Sequence, residues 1–368
     1  MTMVIDKFDK ILKDRCRSLA KAVSAKGYDA MLLTAASNVR YFTGFSGHDS
    51  WALVAGPRVY LVTDSRYTEQ AQGECPACSI ICRKGSIIDE IAKILARCRS
   101  VESLAVEEDI PLKACNGLKK KTKVRIRPVS GVIEKLRMIK SEPEVESIVK
   151  ASEIAVKAVS NALKTIRVGM AESELAGRIE FEMRILVSSA SFDTIVAFGA
   201  NGSRPHHFPG QTKLRKNDVI LIDFGAVFNG YCSDMTRCYA VGRVSTEYRK
   251  AYEAVKSAQA AGIAAIEAGL SMEVPDSAAR EQIKTAGFPQ YGHGTGHGLG
   301  LDVHEFPAIT RLCKQKLEAG QVLTVEPGIY LPGQFGIRIE DDILVTETGC
   351  RVLTRDADKS PELEVLDI

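Results

Sequence analysis

Four carboxylates and one imidazole stand where chemistry is possible: Asp223, Asp234, Glu326, Glu340 and His297. Asp223 follows the apolar run Val219-Ile-Leu-Ile, and Glu326 follows Val322-Leu-Thr-Val. A carboxylate closing an apolar strand is costly unless something neutralises it. Four such groups together require about four positive charges, and two divalent cations are the simplest source. Oxygen ligands with one imidazole suit manganese, cobalt, zinc or iron better than a thiolate site does. His297 lies in Gly292-His-Gly-Thr-Gly-His-Gly, too rich in glycine for a stable helix and open to close backbone approach. Of the six histidines, five fall in these segments: His206, His207, His293, His297 and His304. Any one of them alone could be structural, and for His207 and His293 a supporting role is as open as a direct one.

The segments recur. Ile166-Arg-Val-Gly returns as Ile266-Glu-Ala-Gly, His206-His-Phe-Pro as His304-Glu-Phe-Pro, and Val219 to Gly225 as Val322 to Gly328, at offsets of 100, 98 and 103. A near-constant offset in the same order indicates a duplicated unit. Each copy gives two carboxylates, and two halves facing one another would gather them in one cleft.

The elements needed to position these groups can be read on either side. Residues 8 to about 130 alternate strand-like runs (Ala30-Met-Leu-Leu-Thr, Ala52-Leu-Val-Ala, Tyr60-Leu-Val-Thr) with helical patterns such as Ile87 to Arg97, which predicts an α/β unit with a mostly parallel or mixed sheet. His48 and Asp49 read as an exposed turn there. At Lys140-Ser-Glu-Pro the pattern changes: Ser141 can cap a helix with Glu144 in the capping-box place, and Val145, Ile148, Ala151, Ala155, Val159 and Ile166 keep helical spacing up to Gly169. Helices are expected over 172–186, 246–268 and up to 286. Strands follow each helix pair, so the second unit is α+β. Asn229-Gly230 predicts a hairpin between Asp223 and Asp234, and a turn-rich link joins Glu326 to Glu340.

Composition sets bounds. The chain has 368 residues, 45% apolar and 26% charged, as an ordinary globular protein of two domains. A net charge of +3 gives no case for nucleic acid, and Lys119 to Arg127 reads as a solvated strand face. The start of the chain lacks a signal-like apolar stretch, and no run approaches a membrane span. A cytoplasmic protein with ten reduced cysteines is expected. Cys75, Cys78 and Cys82 cluster, but a zinc site there lacks a fourth ligand at motif spacing.

The C-terminal 230 residues resemble the "pita-bread" metallopeptidases of the M24 type, the group with aminopeptidase P, prolidase and methionine aminopeptidase. The likeness rests on Ile222-Asp-Phe-Gly225, Ser233-Asp-Met-Thr-Arg237, His293-Gly-Thr-Gly-His297, Val303-His-Glu-Phe-Pro307, Val325-Glu-Pro-Gly328 and Gly336-Ile-Arg-Ile-Glu-Asp341. Asn38 to Gly44 and Thr63-Asp-Ser-Arg-Tyr67 resemble the creatinase/prolidase N-terminal domain, which favours the Xaa-Pro branch. The implied boundary places 1–132 in that domain and 133–368 in the catalytic one. Leu186-Val-Ser-Ser-Ala-Ser departs from the glycine-rich sequence usual in relatives.

The resemblance implies a peptidase acting before proline, as an Xaa-Pro aminopeptidase or dipeptidase, on a proline-containing peptide, with a hydroxide between two divalent ions as nucleophile. Manganese is the first expectation. Asp223, Asp234, His297, Glu326 and Glu340 would be the ligands, with Asp234 and Glu340 bridging. Glu326 would also move the proton. His206 and His304 would bind the scissile carbonyl and its oxyanion, His293 would join the substrate-binding set, and Arg338 would hold a bridging carboxylate. A homodimer is implied. The alternatives are another hydrolase of the creatinase-type scaffold and a non-catalytic peptide-binding relative.

Overall fold

The computed structural model describes residues 2–354, 363–366 and 368, with side chains from Lys10 onward. Two compact units divide the chain, Met1–Arg137 and Met138–Ile368.

In the first unit β1 (Ala30–Leu33), β2 (Trp51–Ala55), β3 (Arg58–Thr63), β4 (Ser79–Cys82), β5 (Ser103–Glu107) and β6 (Arg125–Val129) form one mixed sheet, ordered β4-β3-β2-β1-β5-β6. β1, β2 and β3 run antiparallel, whereas β3–β4, β1–β5 and β5–β6 are parallel. The central strands β1 and β5 are buried along their whole length, as strands covered on both faces must be. Helix α1 (Thr2–Ala25) precedes the sheet, and α2 (Ala36–Thr43), α3 (Thr68–Glu74), α4 (Ile87–Arg97) and α5 (Leu112–Lys121) lie between its strands. Ser86 caps α4 by accepting from the Ile88 N–H, and Ile91, Ile94 and Leu95 turn that helix onto the sheet. The Asn38–Gly44 motif is most of α2, ended by Gly44 at φ 82°. Lys119, Lys120 and Lys121 form the last turn of α5, where cations suit the helix dipole. His48 and Asp49 are exposed, as the sequence reading expects.

A short helix, α6 (Ile133–Met138), leads to the second unit. There α7 (Glu142–Leu163) opens on the expected capping box of Ser141 and Glu144. It ends before Ile166: the chain leaves the helix at Lys164, and Ile166 packs into the core from the turn that follows. Next come α8 (Glu172–Ile185), α9 (Thr246–Ala264) and α10 (Glu273–Thr285), so the third helix too stops short of its predicted end at 268. The reason is the same in both copies. Gly169 (φ 89°) and Gly269 (φ 91°) turn the backbone left-handed, and their N–H groups donate to Leu214 O and Leu317 O, both at 2.8 Å. The duplication read from sequence is thus repeated bond for bond.

The strands β7 (Ile195–Phe198), β8 (Val219–Phe224), β9 (Val227–Phe228), β10 (Tyr231–Cys232), β11 (Met235–Val241), β12 (Gly296–Gly298), β13 (Glu305–Ile309), β14 (Val322–Val325), β15 (Gly328–Leu331), β16 (Phe335–Arg338), β17 (Asp341–Thr346), β18 (Gly349–Val352) and β19 (Glu364–Leu366) build two larger sheets. Their orders are β19-β11-β8-β7 and β13-β12-β14-β17-β18, with two small hairpins, β9–β10 and β15–β16, between carboxylate-bearing strands. Apolar faces of α7 and α8 cover the first sheet, while residues of α9 and α10 pack with Ile329, Ile337 and Ile339.

Candidate metal centre

Each half delivers its two carboxylates through one antiparallel pair. β8 and β11 pair with Asp223 opposite Thr236, so Asp234, one residue before β11, lies beside the same end. Between them Asn229 (φ 50°) and Gly230 (φ 83°) make the two-residue turn of the β9–β10 hairpin. In the other half Val325 pairs with Asp341, which brings Glu326, just past β14, alongside Glu340, just before β17. Two glycines permit this closeness. A Cβ on Gly225 would sit 1.9 Å from Ser233 O, and one on Gly296 would sit 1.8 Å from Thr324 O. The close approach anticipated for the glycine-rich histidine segment is therefore to the neighbouring strand's backbone.

Asp234, His297 and Glu340 present ligand atoms all within 4.8 Å of one another. His297 Nε2 lies 3.6 Å from both Asp234 Oδ2 and Glu326 Oε1. Its Nδ1 is 3.1 Å from Gly298 O, so the proton belongs there and Nε2 keeps its lone pair toward the carboxylates. Asp223 lines the same cavity of about 440 Å³, together with Glu326, His206, His293, His304 and Arg338. All nine residues proposed from sequence as site groups therefore border one space. His207 does not: its ring turns to the buried Glu172 at 2.9 Å.

The electrostatics are those of a crowded, buried anionic cluster that Arg338 balances only in part. Burial, then repulsion from Glu340, Asp223, Asp342 and Glu326, holds Asp234 well above the usual carboxylate range. Burial and the neighbouring Glu326 and Asp223 do the same to Glu340. Burial pushes Glu326 up to about 7, and it pushes His297 and His293 down to about 4. One oxygen of Asp223, Oδ1, is buried without any hydrogen-bond partner. Repelling carboxylates, an orphaned carboxylate oxygen and a neutral imidazole aimed at them are a donor set that divalent cations complete.

Arg338 Nη2 donates to Asp223 Oδ2 at 2.6 Å, and Thr236 links the same arginine to Glu340. Arg338 Nε donates to Thr236 Oγ1 (2.9 Å), which donates to Glu340 Oε2 (2.7 Å). The reason is register, since Thr236 stands directly across from Asp223 and fills the gap. His293 lines the same cavity. Nδ1 is 2.7 Å from Gly294 O and Nε2 3.0 Å from the Tyr330 hydroxyl, so both ring nitrogens have partners inside the protein and the ring shapes the cavity wall. His206 and His304 are exposed at the cavity, with His304 packed edge-on against His297 at 4.3 Å between ring centroids.

Sequence reasoning missed several groups. Thr236 was within reach, two residues after Asp234 on a strand. Tyr330, which accepts from Arg338 Nη1 at 3.0 Å, carries no motif signal. The two carboxylates that clamp the histidine loops were also missed. Glu172, at the start of α8, accepts from Phe198 N, Asn201 Nδ2, His207 Nε2 and Gly210 N at 2.7–3.1 Å. Asp276, in the first turn of α10, accepts from Thr295 Oγ1 and Arg280 Nε at 2.7 and 2.8 Å. Arg280 in turn donates to Tyr291 O and His293 O.

Known proteins share the sequence and fold of this chain. The profile described as metallopeptidase family M24 matches residues 146–347, and that of the creatinase/prolidase N-terminal domain matches 15–139. The Xaa-Pro dipeptidase of Pyrococcus furiosus is 35% identical over 348 residues, 94% of this chain and 98% of that relative. The solved Xaa-Pro dipeptidase from Bacillus anthracis superposes with a TM-score of 0.92 at 37% identity, covering 96% of this chain and all of that one. The X-Pro aminopeptidase from Thermotoga maritima MSB8 superposes with a TM-score of 0.87 at 36% identity, over 94% of this chain and all of that one.

Proposed function

The chain belongs to metallopeptidase family M24, and on that premise we propose that it hydrolyses the peptide bond before proline, in an Xaa-Pro dipeptide or at the N-terminus of a longer peptide. Its N-terminal part is a creatinase/prolidase-type domain, its C-terminal unit has the pita-bread fold, and it is a hydrolase. The observation that carries the reading is the convergence of Asp223, Asp234, His297, Glu326 and Glu340 on one cavity with three further histidines, His206, His293 and His304, on its wall.

Those five residues would hold two divalent ions, with Asp234 and Glu340 shared between them. Bound there, such ions supply Lewis acidity and make water acidic enough to attack near neutral pH. An oxygen-rich set with one imidazole suits manganese or cobalt. Glu326 is the group that would take a proton from the attacking water and return it to the departing nitrogen, since its carboxylate lines the cavity with its Oε1 3.6 Å from His297 Nε2. His304 and His206, free of ligand duty, would donate to the scissile carbonyl oxygen as it gains charge. Tyr330 and His293 hold the far side of Arg338's site, and Phe192, Ile195 and Val303 give the cavity an apolar wall suited to a pyrrolidine ring.

The test removes metal with a chelator, restores Mn²⁺, and compares Xaa-Pro with Xaa-Pro-Yaa peptides. Cleavage of the dipeptide alone supports the dipeptidase form, and release of the first residue from both supports the aminopeptidase form. Failure to cut either, with two metals per chain measured, overturns the proposal and leaves another hydrolase of the creatinase-type scaffold.

A further inference from the structure

A second chemistry-bearing cluster lies in the first unit and takes no part in the proposed hydrolysis. Cys75-Pro76-Ala77-Cys78 joins α3 to β4. The Cys75 N–H donates to Ala71 O at 2.9 Å, and the Cys78 N–H returns to Cys75 O at 3.0 Å, closing a tight turn. In such a turn the first and fourth α-carbons lie within about 7 Å, and a disulfide requires about 4.4–6.8 Å. The two side chains also sense one another. Contact with Cys78, then burial, holds the Cys75 thiol well above its ordinary value.

Exposure is unequal. Cys75 is buried, whereas Cys78 is half-buried and lines a cavity of about 270 Å³. Phe42 and Val59 give that cavity apolar wall, and Lys13 brings positive charge suited to an anionic thiol compound, beside an Arg17 paired with Asp14 at 3.2 Å. A metal does not account for the cluster. Cys82 stands exposed at the far end of β4, and among the described residues only Asp234, His297 and Glu340 gather three ligand-type side chains around one point.

We propose that Cys75 and Cys78 are a redox pair, closed to a disulfide by exchange with a low-molecular-weight disulfide of the glutathione type. Cys78 loses its proton and attacks one sulfur of the disulfide, forming a mixed disulfide and expelling one thiolate, which takes up a proton. Cys75 then loses its proton and attacks the Cys78 sulfur, expelling the second thiolate. Two protein thiols are oxidised, one small disulfide is reduced to two thiols, and no other reactant is needed. Cys78 makes the first attack because it reaches the cavity, and the buried Cys75 resolves it.

The experiment treats the whole chain with glutathione disulfide, quenches with acid, alkylates under denaturing conditions and digests with trypsin. The peptide Tyr67–Arg83 carries Cys75, Cys78 and Cys82. Alkylation of this peptide should fall from three sites to one, at Cys82, and return to three after reduction. Cys75→Ser should stop at a glutathione adduct on Cys78, and Cys78→Ser should leave Cys75 as the free thiol. Because Cys75 is buried, far-UV circular dichroism checks that variant's fold, and Cys78→Ser carries the test if Cys75→Ser is unfolded. Three alkylated sites across the glutathione series, or a disulfide that pairs either residue with Cys82 or Cys16, overturns the proposal.

Discussion

Arg338 and Asp223 meet across 2.6 Å, guanidinium Nη2 to carboxylate Oδ2, with both side chains almost wholly withdrawn from solvent. That single contact orients the one site carboxylate whose other oxygen, Oδ1, has no partner. Through Nε and Thr236 the same arginine also holds Glu340, so one cation fixes a carboxylate from each half of the duplication. Its planar fork does this with separate nitrogens, which a lysine cannot reproduce.

Arg338→Lys is therefore expected to lower metal affinity or turnover by about 10–100-fold, the usual effect of losing a ligand's outer partner. Metal titration with activity readout checks it. Unchanged affinity and turnover would mean that the fork is dispensable.

The ligand assignment separates from the transition-state assignment by metal content. Asp234→Ala or Glu340→Ala should lose metal and activity together. His304→Ala should keep both metals and lose about 10²–10³ in turnover, the scale of one missing oxyanion donor. Elemental analysis of the purified variants decides. Loss of metal from His304→Ala would make that histidine a ligand.

Glu326 links pH to stability in the metal-free protein. Its folded-state carboxyl is raised from 4.5 to about 7 by burial. A raised pKa gives stability that is present below about 4.5 and lost as pH rises through about 7. Glu326→Gln removes that loss. The melting temperature of the metal-free variant minus that of metal-free wild type should grow more positive from pH 5 to pH 8. A constant difference over that range would show that Glu326 does not titrate there.

Because Asp234, Glu326 and Glu340 are all held toward their protonated forms, metal must displace protons to bind. Calorimetry in two buffers of different ionisation enthalpy should show proton release, larger at pH 6 than at pH 8, with weaker affinity at pH 6. Chelation should abolish hydrolysis while far-UV circular dichroism stays native, since each half has its own apolar core. Global unfolding on chelation would contradict this.

Glu172 is fully buried, and its four donors outweigh burial to keep its carboxyl below the ordinary value. It clamps the segment from Phe198 to Gly210 that carries His206. Glu172→Gln places an amide where only acceptors fit. Turnover should fall by about 10²-fold, the scale of a misplaced catalytic group, with metal content retained. Wild-type kcat in that variant would remove Glu172 from any positioning role.

Elements that short-range chemistry specifies were legible in neighbouring residues. Ser141 and Glu144 announce a helix start, Asn229-Gly230 a hairpin, and Val219 to Ile222 a buried strand ending in an acid, because caps, left-handed turns and apolar periodicity are written in neighbouring residues. The recurrence of three segments exposed the duplication, and the carboxylates it repeats pointed to the metal site. Helix ends at Leu163 and Ala264 were not legible, because Gly169 and Gly269 are bound by Leu214 and Leu317, about 45 residues further along. Nor could sequence show that Arg338 takes Asp223 directly and Glu340 through Thr236, or that His293 spends both nitrogens on Gly294 and Tyr330. Those choices depend on strand register and on burial, which bring together groups about 100 residues apart and make each unpaired polar atom costly. Long-range packing settles them.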